Sequence, residues 1–184
     1  QQLIKDGAYY YNQYELETEI FEQAGEDERV RTTNLQAVFD AYSTAFVIEI
    51  LRHACTALTY QNLNKKNQFN IPFLQQVLEQ IELGTYQEII SVQFYYYCYK
   101  SLTEPNQARH YQQLKKLLFE HYQALESSEI KNIHVIALNF CIKQLNNGDE
   151  KYVQEVFDLF KYGLDYNILI KHNVLSRFTY KNII

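Results

Sequence analysis

The residues of this chain whose side chains could do chemistry are three cysteines and five histidines. Thiolates act as nucleophiles, redox groups and metal ligands, and imidazoles act as general bases and metal ligands. The cysteines show no Cys-x-x-Cys spacing of the kind that binds zinc, and the histidines form no His-Glu-x-x-His pair. The five glycines are too scattered for a phosphate-binding loop. We therefore predict no catalytic site, no cofactor and no metal site.

The three cysteines, Cys55, Cys98 and Cys141, are instead spaced 43 residues apart twice. An apolar residue precedes each cysteine by four positions, and a leucine follows it by three or four, which is the spacing of one helix face. An internal repeat copies packing positions, whereas a catalytic site is usually unique in a chain. We interpret the thiols as reduced, buried side chains, and such thiols favour a cytoplasmic protein.

A second set of matches lies after each cysteine, over residues 73–81, 110–118 and 152–160. The third and fourth positions of each segment are a polar pair: Gln75-Gln76, Gln112-Gln113 and Gln154-Glu155. Each repeat is therefore predicted to hold two helices, the first carrying the cysteine and the second carrying the polar pair. The turn between them varies in length, which costs little free energy.

The periodicity of apolar residues predicts helices near residues 9–24, 34–61, 71–83, 86–102, 107–124, 128–146 and 150–163, with another beginning after Ser176. The segment 34–61 suits one long helix or two joined ones, and residues 25–28 are predicted to form a loop. The segment Phe178–Ile184 looks like the first helix of a fourth repeat, with no second helix to cover its apolar side chains.

The first forty residues carry nine acidic and three basic side chains, so the negative charge is concentrated there. On the helix predicted near residues 9–24, the spacing of Glu15, Glu19 and Glu22 stacks their carboxylates. We interpret this stack as a solvated face, with a contact for a basic partner as the alternative. We predict one domain overall, in which an acidic helix and loop over residues 1–33 pack on about three and a half helical-hairpin repeats over residues 34–184.

The composition favours an all-α fold. Of the 184 residues, 47% are apolar and 21% charged, which is ordinary globular usage, and only five glycines and two prolines are available for sharp turns. The chain contains no methionine, which leads us to expect a piece of a longer protein. It also contains no run near the roughly 20 apolar residues of a membrane span, so we expect no membrane association.

The paired helices, and the turn Asn146-Asn-Gly-Asp149 followed by Tyr152-Val-Gln-Glu-Val-Phe-Asp-Leu-Phe160, resemble tetratricopeptide-like repeats. The resemblance covers roughly residues 40–184, although the period is closer to that of HEAT-type repeats. It implies an α-solenoid of stacked antiparallel helix hairpins in a right-handed superhelix. The family's usual tryptophan is missing, so the resemblance carries over no binding residues. Pentatricopeptide repeats, which bind RNA, are a more distant likeness that the acidic balance of the chain argues against.

In solenoids of this kind the first helices of successive repeats line the concave surface, which here would be the cysteine-bearing helices. The resemblance therefore implies a peptide groove lined by residues of those helices that face away from the core. The candidate contacts are the aromatic and polar residues Tyr95, Tyr99 and Asn139, with the cations Arg52 and Lys143 at the edge of the groove. Tyrosine suits such a surface because its ring packs while its hydroxyl remains hydrated.

The function we expect is a non-enzymatic helical-repeat scaffold that binds a partner protein or peptide. A nucleic-acid-binding repeat is the first alternative, although a phosphate-tracking groove needs clustered lysine and arginine. A regulatory or spacer domain of a larger multidomain enzyme is the second. The uncapped C-terminal helix would also expose an apolar face through which two copies could form a homodimer.

Overall fold

A computed structural model describes residues 4–23, 28–63, 66, 68–171 and 174–175. Its helices are α1 (Gly7–Gln23), α2 (Glu28–Leu63), α3 (Leu74–Glu82), α4 (Ile90–Thr103), α5 (Ala108–His121), α6 (Ser127–Asn146) and α7 (Tyr152–Asp165). A short antiparallel ladder follows, pairing β1 (Ile170–Lys171) with β2 (Val174–Leu175). The described chain is thus predominantly α-helical, as predicted. The ladder was not predicted, because strands of two residues leave no periodic pattern in the sequence.

The predicted helices are found within a few residues of their expected bounds. The segment 34–61, which suited one long helix or two joined ones, belongs to the single helix α2. The boundary predicted after residue 33, between the acidic helix and loop and the first repeat, lies inside this helix. Residues 25–27 of the predicted loop lie outside the described residues, as do the helix predicted after Ser176 and the apolar face through which two copies could pair.

The cysteine-bearing helices and the helices with the polar pairs alternate along the chain, which is compatible with a helical repeat. Cys55 lies on α2, Cys98 on α4 and Cys141 on α6, and all three are buried thiols outside any disulfide, as predicted. The polar pairs lie on α3, α5 and α7, and all their members are exposed except the half-buried Glu155. The ninth position of each of these segments is buried, at Ile81, Leu118 and Phe160.

Replacing Cys98 with serine is expected to lower the free energy of unfolding by roughly 1 to 3 kcal/mol, because a hydroxyl without a partner carries a desolvation cost in the interior. Thermal melts of the variant and the parent would measure the difference. Melting curves that coincide would contradict the assignment of this thiol to the core. Cys98→Ala is the matched control, because it removes the sulfur without adding a polar group.

The chain divides into two compact units, residues 1–96 and 97–184, called here the N-terminal and C-terminal units. In the N-terminal unit α1 and α2 run antiparallel, since Tyr14 packs against Tyr42 at a ring-centroid distance of 4.8 Å while Gly7 lies against Ile48 and Glu49. The Asp6 carboxylate accepts the Tyr9 N–H at 2.9 Å and so caps the start of α1.

The core of the N-terminal unit is formed by small and aliphatic side chains of α2 packed with side chains of α3 and the first turns of α4. Its most buried members are Ile48, Leu51, Ala54, Val92 and Phe94. Two hydrogen bonds connect its distant segments: the Cys55 thiol donates to the Tyr95 carbonyl at 3.5 Å, and the Ser91 hydroxyl donates to the Lys5 carbonyl at 2.7 Å.

In the C-terminal unit α6 packs against α5 and α7. Aromatic rings fill part of this core: Tyr111 stacks on Phe140 with centroids 5.0 Å apart, and Tyr152 packs against both rings. The Tyr162 hydroxyl, 3.0 Å from the Phe119 carbonyl and 3.2 Å from the Leu118 carbonyl, donates into the last turn of α5. The predicted turn after α6 is present, with Gly148 at φ 91°.

Candidate functional site

An open groove lies between α1 and α2 in the N-terminal unit, with a volume of about 410 Å³. Three small residues belong to its lining, Gly7 and Ala8 of α1 and Ala45 of α2. Larger side chains form its sides, among them Tyr11 of α1 and Tyr42 of α2. The groove thus lies where two neighbouring helices lack bulky side chains.

Exposed aromatic side chains line the α2 side of this groove. Tyr42 is 51% exposed and Phe46 is 38% exposed, and the sequence spacing places Phe39 on the same face two turns from Phe46. The cluster extends to both neighbouring helices, because Tyr14 packs on Tyr42 and the Phe73 ring lies 6.2 Å from the Phe46 ring. Contiguous exposed aromatic surface of this kind is typical of a site of protein contact.

The backbone at Phe73 adopts the left-handed conformation, with φ 64° and ψ 0°, immediately before α3. This conformation costs a residue with a side chain roughly 1–2 kcal/mol, and glycine adopts it freely. The Phe73 ring is nevertheless 63% exposed, so burial of the ring offsets little of the cost. Strain that burial does not offset points to a use for the ring outside the folding of the chain.

Replacing Phe73 with glycine is expected to give a more stable protein than replacing it with alanine, by about 1 kcal/mol, because only glycine relieves the left-handed backbone. Both variants remove the same ring, so the difference between their free energies of unfolding isolates the cost of the backbone conformation. At a position with an ordinary backbone conformation, the alanine variant would be the more stable of the two. Urea denaturation of the two variants would measure the difference, and an alanine variant as stable as the glycine variant would contradict the assigned strain.

The face of α1 that continues beyond the groove is acidic. Glu15 and Glu19 follow Tyr11, which lines the groove, at intervals of four residues, and both are exposed, as is Glu22. The helix contains no lysine, arginine or histidine. Glu49 of α2 lines the groove itself, but its carboxylate is paired with Arg52.

The charge of the whole N-terminal unit has the same sign as this face of α1. Residues 1–96 include thirteen acidic and six basic side chains, a net charge of −7, whereas residues 97–184 include nine acidic and eleven basic ones. A field of this sign attracts cationic partners and repels nucleic acid. The groove therefore has an aromatic side on α2 and lies next to an anionic stretch of α1.

The residues predicted from the sequence as partner contacts have different surroundings. Arg52 lies on α2 one turn after Glu49, which lines the groove, and its guanidinium donates to the Glu49 carboxylate at 3.1 and 3.2 Å. Tyr95 is only 4% exposed. We therefore withdraw Tyr95 from the candidate contacts, because a buried ring offers no surface to a partner.

The other three predicted contacts lie in the C-terminal unit. Asn139 and Lys143 are both exposed on α6 and, four residues apart, lie side by side on one helix face. Tyr99 is half-buried on α4. The structure thus brings Asn139 and Lys143 together, and all three stay predicted contact residues.

The groove itself is not predictable from the sequence. The sequence places stacked carboxylates on α1 and favours a solvated face for them, but it does not show that α2 presents exposed aromatic rings nearby. A usable indication is the spacing of Phe39, Tyr42 and Phe46, which recur at three and four residues along one helix.

The titratable groups of the C-terminal unit serve its packing. Burial raises the pKa of the Cys141 thiol to about 12, so this thiol carries no nucleophilic thiolate at neutral pH. The Tyr111 hydroxyl donates to Glu155 at 2.6 Å, and the same carboxylate pairs with Lys115 at 2.9 Å. Burial alone would lower the pKa of Lys115, but hydrogen bonds to Glu155 and Asp158 raise it. This network explains why Glu155 is less exposed than the other members of the polar pairs.

His134 lies in the core of the C-terminal unit with 0% of its surface exposed. Its Nε2 lies 3.0 Å from the Leu159 carbonyl of α7. A carbonyl only accepts hydrogen bonds, so Nε2 carries the proton, and Nδ1 is a buried nitrogen without a hydrogen-bond partner. Burial lowers the pKa of His134 to about 4, so the ring is neutral at physiological pH.

A second histidine, the buried His110, takes part in a hydrogen-bond network at the turn between α4 and α5. Glu104 accepts hydrogen bonds from Lys100 at 2.9 Å and from Gln107 at 2.6 Å, and His110 lies 3.1 Å from it. The hydrogen bond from Lys100 is the main cause that lowers the pKa of Glu104. The network joins the end of one helix to the start of the next, and contains no nucleophile.

Within the described ranges, no group of three or more histidine, cysteine, aspartate and glutamate side chains is arranged to hold a metal ion. In the same part of the chain, no helix combines the length and the apolar character needed to cross a membrane.

Comparison of the chain with protein-family models, with curated proteins and with solved structures finds no match in any of the three.

Proposed function

We propose that this chain is a non-enzymatic helical-repeat scaffold that binds a partner protein or peptide through the groove between α1 and α2. The observation that carries the proposal is the continuous aromatic surface of Tyr42, Phe46 and Phe73, which the chain leaves exposed at a cost in backbone strain. Aromatic side chains are the residues that contribute most of the binding energy at protein interfaces.

The alternation of cysteine-bearing helices with helices that carry the polar pair supports the wider architecture that we propose. Each pair would form a helix hairpin, and in repeat proteins such hairpins stack on one another because one hairpin cannot bury its apolar face alone. We propose that the hairpins form an α-solenoid with a right-handed superhelix, similar to tetratricopeptide-like repeats. The exposed pair Asn139 and Lys143 would add polar contacts for a large partner.

The test is capture of partner proteins from a native lysate with three immobilised forms of the chain. The first is the parent, the second carries Tyr42→Ala and Phe46→Ala in the groove, and the third carries Val153→Ala and Phe157→Ala. The third form is matched, because Val153 and Phe157 of α7 are also exposed apolar side chains. Circular dichroism checks that all three forms are folded.

The proposal predicts a protein that is captured by the parent and the α7 control and lost from the groove variant, and that binds the purified chain in a calorimetric titration. A captured protein that all three forms retain equally would contradict the groove as the site. Turnover of a substrate by the purified chain, abolished by a single substitution, would contradict the non-enzymatic assignment.

A further inference from the structure

The shape of the groove suits a helix rather than an extended strand. Its α2 side presents Phe39, Tyr42 and Phe46 at intervals of three and four residues, which covers about 10 Å along the helix axis. A helix that lies along this row presents its own apolar side chains at the same intervals. An amphipathic helix in an apolar groove is a common mode of peptide recognition.

The charge beside the groove restricts which amphipathic helix fits. Glu15, Glu19 and Glu22 extend about 10 Å along α1, starting one turn after Tyr11 at the end of the groove. The helix α1 itself contains no cation. Lys5, just before α1, lies over the Tyr9 ring at 5.8 Å. A helix that follows the aromatic row past the Tyr14–Tyr42 contact thus meets apolar rings of α2 and carboxylates of α1.

We infer that the partner segment held in the groove is a basic amphipathic helix, an inference that rests on the proposed function. Its leucine-like side chains pack on Tyr42, Phe46 and Phe73, and its lysine or arginine side chains lie beside the carboxylates of α1. An acidic helix would place like charges side by side, which costs free energy at an interface. The net charge of −7 on residues 1–96 also favours the approach of a cationic segment.

Three synthetic peptides of about 18 residues test the inference on the full chain, followed by fluorescence anisotropy. The first is a leucine–lysine helix with leucine at three- and four-residue intervals, the second replaces every lysine with glutamate, and the third scrambles the leucine–lysine sequence. We expect the first peptide to bind at least tenfold more tightly than the other two, with affinity that falls as salt rises. Equal affinity for the first and third peptides would overturn the inference, because helix amphipathicity would then play no part.

Charge-matched variants separate groove binding from general attraction to an acidic protein. Glu15→Lys with Glu19→Lys changes the face of α1 next to the groove, whereas Glu79→Lys with Glu88→Lys makes the same change in net charge at exposed positions outside α1 and α2. The first pair should weaken binding of the leucine–lysine peptide at least tenfold and the second pair less than twofold. Equal weakening by both pairs would overturn the inference.

Failure of the inference and failure of the proposed function give different results. Suppose that the leucine–glutamate peptide binds as well as the leucine–lysine peptide and that Tyr42→Ala with Phe46→Ala abolishes the binding of both peptides. The inference of a basic partner helix is then wrong, whereas the groove remains the proposed binding site. If the groove variant changes neither peptide binding nor lysate capture, both are wrong. Light scattering tests whether a second copy of this chain occupies the groove instead. A parent that is a dimer, together with a groove variant that is a monomer, would also overturn the inference.

Discussion

Replacing Gly163 with alanine is expected to lower the free energy of unfolding of the C-terminal unit by about 3 kcal/mol, the upper end of the usual cost of overpacking a core. A β-carbon at this position would lie 2.7 Å from Cγ and Cδ1 of Leu169 and 2.8 Å from Nε2 of His134. In an unobstructed helix the same change stabilises by about 1 kcal/mol, so the expected sign is the reverse of the helix propensity.

Neither neighbour of Gly163 can move away easily. Leu169 is buried, and its backbone N–H donates to the Gly163 carbonyl at 3.0 Å, which holds the segment after α7 against the helix. His134 is buried and hydrogen-bonded to the Leu159 carbonyl, so a displaced ring would lose its only described partner. The added β-carbon would therefore clash with two side chains whose positions are already fixed by burial and hydrogen bonds.

Gly7→Ala is the matched control for Gly163→Ala. Gly7 is also a buried helical glycine, and an added β-carbon would lie 2.6 Å from Glu49 Oε1 and 3.3 Å from Ile48 Cγ2. The closer neighbour is the end of a flexible, partly exposed side chain that can rotate away, so we expect a much smaller loss. Urea denaturation compares the two variants with the parent, and equal losses at both positions would contradict the assigned role of Gly163.

Acidification is expected to destabilise the C-terminal unit by about 3 kcal/mol through His134 alone, because its pKa falls from 6.5 to about 4 on folding and each pKa unit corresponds to 1.36 kcal/mol. Between these values the unfolded chain binds the proton and the folded chain does not. The contribution to stability is complete above pH 6.5, declines as the pH falls, and is lost below about pH 4.

The physical reason for this sensitivity is the surroundings of the ring. A proton added to Nδ1 would create a charged donor without a partner in an apolar interior, and burying such a group is costly. Glu104 and Asp158 also have lowered pKa values, so protonating them destabilises the fold as the pH falls below their ordinary values of 4.5 and 3.8, at the acidic end of the His134 range. The titration of His134 must therefore be separated from theirs by a variant.

His134→Leu supplies that separation, because it removes the titrating group and keeps an apolar side chain at the position. Its free energy of unfolding, measured by urea denaturation from pH 7.5 to 4, should decline by about 3 kcal/mol less than that of the parent. His134→Gln, which retains a donor for the Leu159 carbonyl, is a second variant in case the first folds poorly. Identical pH profiles for parent and variants would contradict the low pKa of His134.

The helix pairs and the buried thiols followed from the sequence because they depend on residues close together in the chain. Cys55, Cys98 and Cys141 recur with apolar neighbours at helical spacing, and a side chain on the apolar face of a helix must pack against another element. The acidic character of residues 1–40 was likewise visible in the sequence, since it depends on composition alone. These features required no knowledge of which helices meet.

The groove and the surroundings of His134 were decided by the tertiary structure, because each depends on contacts between segments distant in the chain. The groove is lined by the small residues Gly7, Ala8 and Ala45 from two antiparallel helices, and the exposed aromatic rings of α2 lie beside them. Gly163 shows no unusual feature in the sequence, and its lack of a side chain becomes necessary only where His134 and Leu169 approach it. Local spacing specifies which side chains share a helix face, and packing between helices decides which of them a partner can reach.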